Sequence, residues 1–206
     1  MLGALLIAAG LLGLAWVVTV WRWQDPFTAV YTHIQQDRLS REYDRNALAF
    51  RSQISARTLA ADAAAYAATL HAGSPAGRLT ISRIGLHMVV VQGTDEASLK
   101  KGPGHEPSTG LPGQGRLIYI AGHRTTYLAP FSHIDRIRIG DRIVFTVPYG
   151  TFVYRVIRHY VVPSDDLAVL KPTGQEVLRL QACHPRFFAT HRYIVDAAPV
   201  ATPARS

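Results

Sequence analysis

The chain has 206 residues and a formal net charge of +8, and 48% of its residues are hydrophobic, so it can bury a domain-sized core. Its single cysteine, Cys183, excludes an internal disulfide framework and a metal site built from four thiolates. The positive charge indicates either a solvated basic surface or an anionic neighbour such as lipid head groups or wall polymers. Zinc-finger spacings and RNA-binding aromatic signatures are missing from the sequence, so nucleic acid is not the expected partner.

The N-terminal segment, residues 2–21, carries no charged side chain and, as a helix, would be long enough to cross a bilayer core of about 30 Å. We therefore predict a transmembrane anchor over residues 1–22. The alternative is a cleaved secretory signal, which ordinarily has a shorter apolar run and a small-residue cleavage site. Arg22 follows the apolar run, and the positive-inside rule then weakly favours a cytoplasmic C-terminal part.

Residues 23–77 are predicted to form a helical stalk or linker. Asp25 is a candidate N-cap, Pro26 suits the first helical position, and a break is expected near Leu39 and Ser40. Apolar residues follow at helical spacing: Phe27, Val30, Tyr31 and Ile34. The stalk would either hold a domain away from the membrane or pack on that domain as a lid or brace, and both possibilities remain open.

Residues 78–200 are predicted to form an all-β domain, either a barrel or a sandwich, and residues 201–206 a C-terminal tail. Short runs of β-forming residues alternate with Gly- and Pro-containing turns, which is typical of such folds. The candidate strands are Leu79–Ile84, Met88–Val91, Leu117–Ala121, Arg142–Val147, Phe152–Val162, Val177–Ala182 and Arg192–Asp196.

Three side chains at predicted strand ends form a candidate catalytic set. If the strands that end at Cys183 and begin at Arg192 pair in antiparallel fashion, these two residues lie side by side at the mouth of the hairpin. A thiol attacks as thiolate and therefore needs a base or a cation nearby. The Arg192 guanidinium could stabilise an oxyanion, and His123, which follows the strand 117–121, could transfer protons.

Each of these residues also has an ordinary explanation. A lone cysteine is often an inert buried side chain, and single histidines and arginines usually lie on the surface. A metal site at Cys183 and His184 is not expected, because neighbours in a strand point to opposite faces. We expect neither a metal nor another cofactor.

Several short segments together resemble the sortases, membrane-anchored cysteine transpeptidases of Gram-positive bacteria. The resemblance extends over residues 78–198 and is most like the class E, actinobacterial housekeeping group. The matching segments are Gly102-Pro103-Gly104-His105, Leu111-Pro112-Gly113, Ala121-Gly122-His123-Arg124-Thr125-Thr126, Gly140-Asp141, Leu180-Gln181-Ala182-Cys183 and His191-Arg192.

The resemblance implies an eight-stranded sortase-type β-barrel. It implies that Cys183 attacks the carbonyl between Thr and Gly of a sorting signal in a secreted protein, and that an amine of a peptidoglycan precursor resolves the thioacyl enzyme. His123 would be the general acid and base, and Arg192 the clamp for substrate and oxyanion. A class E enzyme would favour Leu-Ala-x-Thr-Gly over Leu-Pro-x-Thr-Gly signals.

Family position also suggests Tyr127, Leu180 and Ala182 as substrate-binding residues. Ala182 departs from the family, which usually has threonine or serine before the cysteine. The family arrangement, a single-pass plasma-membrane protein with an extracytoplasmic catalytic domain, opposes the bias set by Arg22 and is the expectation adopted. Two other functions remain possible: a tethered, non-catalytic barrel that binds wall polymers or peptides, and a hydrolytic cysteine peptidase.

Overall fold

The computed structural model describes residues 2–23, 26–52 and 58–200. Within these residues the helices are α1 (Leu2–Trp23), α2 (Pro26–Arg51), α3 (Leu59–Ala67) and α4 (Glu96–Leu99). The strands are β1 (Pro75–Ile81), β2 (Leu86–Gln92), β3 (Gly104–His105), β4 (Leu117–Ala121), β5 (Arg142–Val147), β6 (Gly150–Pro163), β7 (Val177–His184) and β8 (His191–Pro199). Short 3-10 helices lie at Ser82–Ile84, Ile134–Arg136 and Leu167–Leu170.

The eight strands close into one barrel in the order β1-β2-β3-β4-β7-β8-β6-β5. The β2–β3 and β4–β7 pairs are parallel, and the other pairs are antiparallel. The predicted eight-stranded barrel is therefore confirmed. The parallel β4–β7 pair places the ends of two strands that are distant in sequence beside each other.

The barrel interior follows from the alternation of side chains along each strand. In β5, Ile143, Phe145 and Val147 are buried, while the intervening side chains point outward. Full burial of a side chain of this size contributes about 1.5–3 kcal/mol. Tyr154 on β6 is also fully buried, and its hydroxyl donates to Glu176 at 2.7 Å, so that its polar atom is satisfied.

Five of the seven predicted strands differ from the sequence-based expectation by one to four residues at an end, and one strand was not predicted. The five are β1, β2, β6, β7 and β8. The two-residue strand β3 was not predicted, because a strand of this length shows no periodicity. Strand β1 begins at Pro75, inside the segment predicted as linker, because Pro75 and Gly77 pair with β2 across a bulge. By contrast, β4 and β5 have the predicted bounds.

Helix α2 is a brace that packs along the barrel. It begins at Pro26 as predicted and continues unbroken through Leu39 and Ser40, so the expected break is wrong. Leu39 packs with Val89 and Val91 of β2, and these apolar contacts hold the helix against the wall of the barrel. The structure therefore favours the brace over a free spacer.

A row of polar side chains on α2 binds backbone groups of the barrel. Thr28, Thr32 and Gln36 are spaced by four residues and so lie on one face of the helix. The Gln36 amide accepts from Val89 N at 2.8 Å and donates to Val89 O at 3.0 Å and to Lys101 O at 2.8 Å. These bonds extend the hydrogen-bonding pattern of the barrel to the helix.

The N-terminal segment forms α1. Across residues 2–23, 26–52 and 58–200, no helix combines the length and apolar character that a membrane crossing requires. The transmembrane anchor predicted over residues 1–22 is therefore not supported. The predicted N-cap at Asp25 and the tail at 201–206 lie outside the described residues.

Candidate active site

Cys183, His123 and Arg192 line a single open groove with a volume of about 350 Å³. The groove lies on the outer face of the barrel, over strands β4, β7 and β8, and its opposite wall is the 3-10 helix Leu167–Leu170. The three side chains predicted to carry the chemistry are therefore brought together by the fold.

Strand register accounts for this arrangement. Cys183 and Arg192 are direct partners in the antiparallel β7–β8 pair, as the sequence predicted. In the parallel β4–β7 pair, Ala121 is the partner of Gln181, so His123 and Cys183 each follow a paired position by two residues. Gly122 N donates to Gln181 O at 3.0 Å and extends this register to the residue before the histidine.

Gly122 allows the chain to leave β4 in close contact with the core. A Cβ at this position would lie 2.6 Å from the ring of Phe131, which is fully buried. Phe131 N in turn donates to His123 O at 3.0 Å. A side chain at residue 122 would therefore displace either the core phenylalanine or the backbone that carries the histidine.

The His123 imidazole is half-buried, and its Nε2 has no hydrogen-bond partner among the described residues. Burial lowers the pKa of His123, the positive charge of Lys100 lowers it further, and Glu96 acts in the opposite direction. The Tyr127 ring lies 5.1 Å from the imidazole, centre to centre. The imidazole is thus biased toward its neutral form, and its Nε2 is a buried atom without a protein partner among the described residues.

The loop after His123 is held by helix α2. Three consecutive non-glycine residues, Tyr127, Leu128 and Ala129, have left-handed φ values of 52°, 59° and 36°, a conformation that is costly for side chains with a Cβ. Tyr127 N donates to Thr28 Oγ1 on α2 at 3.1 Å. Thr32 on the same helix face donates to Lys100 O at 2.9 Å.

Arg192 is fixed by backbone carbonyl groups at the start of β8. Its Nη1 donates to Ala189 O at 2.8 Å and to His191 O at 3.1 Å. Both bonds use Nη1, so they leave Nη2 and Nε free to bind an anion or a developing oxyanion. The guanidinium is thereby held at the groove beside Cys183.

The groove floor contains a polar pair that sequence reasoning missed. Tyr119 donates its hydroxyl hydrogen to Gln181 Oε1. Burial raises the pKa of Tyr119 while the charge of Arg192 opposes this shift, so the phenol remains a neutral donor. The alternation of side chains along a strand could have predicted Gln181 in the groove, because Gln181 precedes Cys183 by two residues and therefore lies on the same face of β7.

The 3-10 helix that forms the groove wall is hydrogen-bonded to a buried ion pair. Arg179 Nε and Asp196 Oδ1 lie 2.6 Å apart, on directly paired residues of β7 and β8. Arg179 Nη1 also donates to Val169 O at 2.5 Å, in the 3-10 helix that faces the catalytic set. The position of the wall therefore depends on this ion pair.

Two of the predicted substrate-binding residues face away from the groove. Leu180 and Ala182 are 0% and 1% exposed and belong to the core of the barrel. The same alternation that turns Cys183 outward turns them inward, so the prediction that they contact substrate is not supported. Tyr127 is half-buried beside His123.

Within residues 2–23, 26–52 and 58–200, no group of three or more His, Cys, Asp or Glu side chains is placed to hold a metal ion.

Comparison with known proteins identifies relatives of this barrel. A family model described as a sortase domain matches residues 79–200. Sortase D of Bacillus subtilis is 31% identical over 127 residues, which cover 60% of this chain and 63% of that protein. The chain thus spans less than two thirds of the length of this relative.

Solved structures show the same fold. Sortase E from Streptomyces avermitilis superposes with a TM-score of 0.59 at 32% identity, covering 65% of this chain and 93% of that one. A Clostridium perfringens sortase D5 transpeptidase superposes with a TM-score of 0.68 at 24% identity, covering 81% of this chain and 99% of that one. The relatives therefore include both class D and class E proteins.

Proposed function

Because the chain belongs to the sortase family, we propose that it is a cysteine transpeptidase that cleaves a C-terminal sorting signal and transfers the protein to an amine. The observation that carries this proposal is the convergence of Cys183, His123 and Arg192 on one groove through the registers of β4, β7 and β8.

In the proposed reaction, the Cys183 thiolate attacks the carbonyl carbon of the threonine in the signal. The carbonyl oxygen becomes an oxyanion, which the free nitrogens of Arg192 stabilise. Collapse of this intermediate breaks the Thr–Gly bond, and protonated His123 gives its proton to the departing glycine amine. The product of this half-reaction is a thioester between Cys183 and the threonine.

In the second half-reaction, an incoming amine attacks the thioester and His123 accepts its proton, so Cys183 is released. The lowered pKa of His123 has two consequences: the imidazolium is a stronger acid, and a smaller share of the protein carries it at neutral pH. The same shift favours neutral His123 as the base for the incoming amine.

The proposed substrates are secreted proteins with a Leu-Ala-x-Thr-Gly or Leu-Pro-x-Thr-Gly signal, and the proposed acceptor is an amine of a peptidoglycan precursor. The resemblance of the sequence motifs to class E sortases implies the Leu-Ala-x-Thr-Gly preference. Tyr127, beside His123, would shape the groove near the scissile bond. The catalytic domain would act outside the cytoplasm, where such substrates and acceptors meet.

The test is product analysis by liquid chromatography and mass spectrometry with both signal peptides, in the presence and absence of triglycine or a meso-diaminopimelate-like amine. We expect an amide product in which the amine replaces the peptide's C-terminal glycine segment. Release of the free acid at an unchanged rate with and without amine would instead indicate a hydrolytic peptidase. Peptide binding with neither product, retained in Cys183→Ala, would indicate a non-catalytic binding barrel.

A further inference from the structure

Arg124, the residue after His123, is a buried cation that binds the backbone of the nucleophile. It is 4% exposed. Its Nη1 donates to Cys183 O at 3.2 Å and to His184 Nδ1 at 3.0 Å. Its Nη2 lies 3.1 Å from Asp135 Oδ2, which belongs to the 3-10 helix after the loop.

The guanidinium lies behind β7, away from the side of the strand where the thiol is found. Its central carbon is 5.9 Å from the centre of the Tyr193 ring, and Tyr193 packs against the barrel core together with the inward-facing Ala182. Arg124 is not among the residues that line the groove. It therefore contacts the nucleophile from the core side and does not reach the space where substrate would bind.

We propose that Arg124 is a positioning residue that fixes His123 and Cys183 relative to each other. The inference rests on the proposed transpeptidase function. One end of Arg124 is covalently continuous with His123, and the other end binds the carbonyl group of Cys183. Since displacement of a reacting group by about 1 Å can lower a rate about 100-fold, this link bears directly on the acylation step.

A contribution to folding stability does not by itself explain why a buried arginine occupies position 124. Burial of a cation carries a desolvation cost that an apolar side chain of similar volume would avoid. The partner carboxylate at Asp135 is half-exposed, with 49% of its side chain accessible, and Arg124 Nε has no hydrogen-bond partner among the described residues. The contacts of the guanidinium are instead directed at the end of β7, where the nucleophile lies.

The test compares Arg124→Met, Arg124→Lys and Asp135→Asn in the full chain, with Arg136→Met as the matched control because Arg136 is an exposed arginine on the same 3-10 helix. For each variant, kcat and KM are measured with a signal peptide and triglycine. The rate of Cys183 alkylation by iodoacetamide, which requires no alignment with His123, is measured at one fixed pH. Thermal melting reports folding.

We expect Arg124→Met to lower kcat about 100-fold, with KM and the alkylation rate within about threefold of wild type. Arg124→Lys should recover part of kcat, because an ammonium can bind one carbonyl but cannot reproduce the planar fork. Asp135→Asn should lower kcat less than Arg124→Met, and Arg136→Met should leave it unchanged.

A wild-type kcat in Arg124→Met would overturn the inference, and so would a parallel fall of kcat, alkylation rate and melting temperature in all three variants. If Arg124→Met does not fold, wild-type kcat in both Arg124→Lys and Asp135→Asn overturns it. Absence of transfer by the wild-type protein is a separate outcome, which refutes the proposed function and this inference with it.

Discussion

Cys183 and Arg192 face each other as a directly opposed pair in the antiparallel β7–β8 ladder. The Cβ atoms of residues at such positions are about 4.5–5.5 Å apart, so both side chains can contact the same bound acyl group. The pairing places a permanent cation beside the nucleophile without any further loop or cofactor. His123 reaches the same groove through the parallel β4–β7 register.

Replacement of Arg192 by alanine should reduce transfer without disabling the thiol. Loss of one oxyanion donor lowers kcat by about 100- to 1000-fold, whereas Cys183 should still react with iodoacetamide. Arg192→Lys should recover only part of this loss. The exposed neighbour His191, changed to alanine, is the matched control and should retain wild-type kcat. An Arg192→Ala protein with normal kcat would exclude the oxyanion role.

Two charged neighbours should shift the pKa of His123 in opposite directions. The positive charge of Lys100 lowers this pKa and Glu96 raises it. Lys100→Met should therefore raise the pKa of His123, and Glu96→Gln should lower it further below the ordinary histidine value. The imidazole Cε1–H resonance, followed by NMR as a function of pH, measures both shifts.

The pH dependence of transfer should move with these shifts. In Lys100→Met the limb of the kcat profile that reports His123 should move to higher pH, and in Glu96→Gln to lower pH. Shifts of the same sign in the two variants would contradict the electrostatic account of the site.

Much of this site follows from local sequence. The bounds of β4 and β5 were predicted correctly. The pairing of Cys183 with Arg192 followed from placing two strands that are neighbours in the sequence as an antiparallel hairpin. The same alternation should have assigned Leu180 and Ala182 to the core. Here the family position suggested substrate contact, but the period of two along β7 determines which side chains reach the groove.

Other features depend on contacts between distant segments. The parallel pairing of β4 with β7 brings His123 to Cys183 across sixty residues, and nothing in either strand alone specifies its partner. The packing of α2 on the barrel also depends on contacts between segments that are distant in the sequence. Its Thr28 and Gln36 side chains carry no periodic apolar signal, yet Thr28 binds the backbone of the loop after His123 and Gln36 binds the backbone of β2.

Helix α2 should support the active-site loop through Thr28. Thr28→Val keeps the shape of the side chain but removes the acceptor for Tyr127 N. Since a typical hydrogen bond contributes about 1 kcal/mol, we expect kcat to fall by up to about fivefold. Wild-type kcat in Thr28→Val would show that the loop does not depend on this contact.

The same helix should stabilise the barrel through Gln36. Gln36→Leu leaves both backbone groups of the buried Val89 without this partner and should cost about 1–3 kcal/mol in the free energy of unfolding. Urea unfolding measures this cost. Gln35→Leu is the matched control, a glutamine on the same helix, and should change the free energy by less than about 0.5 kcal/mol. Equal effects of the two variants would contradict the specific role of Gln36.

The buried Arg179–Asp196 pair should be sensitive to loss of one partner. Arg179→Met removes the bidentate partner of Asp196, which is 1% exposed, but leaves Arg158 Nη2 at 2.7 Å from Asp196 Oδ2. It should therefore lower the free energy of unfolding by about 1–3 kcal/mol, the cost of losing buried hydrogen bonds to a charged group whose charge is still paired. It also frees Val169 O, so KM for the peptide should rise as the groove wall loosens. Urea unfolding and peptide kinetics measure the two effects. The exposed Arg142, changed to methionine, is the control, and unchanged stability in Arg179→Met would contradict the account.

The central claim is that Cys183 forms a thioester with the signal peptide in this groove. Intact-mass spectrometry of the protein, mixed with Leu-Ala-x-Thr-Gly peptide in the absence of amine, tests it most directly. We predict an adduct with the mass of the acyl fragment, removable by hydroxylamine, absent from Cys183→Ala and strongly reduced in His123→Ala. A folded wild-type protein that forms no adduct with either signal peptide, or an adduct that persists in Cys183→Ala, would contradict the claim.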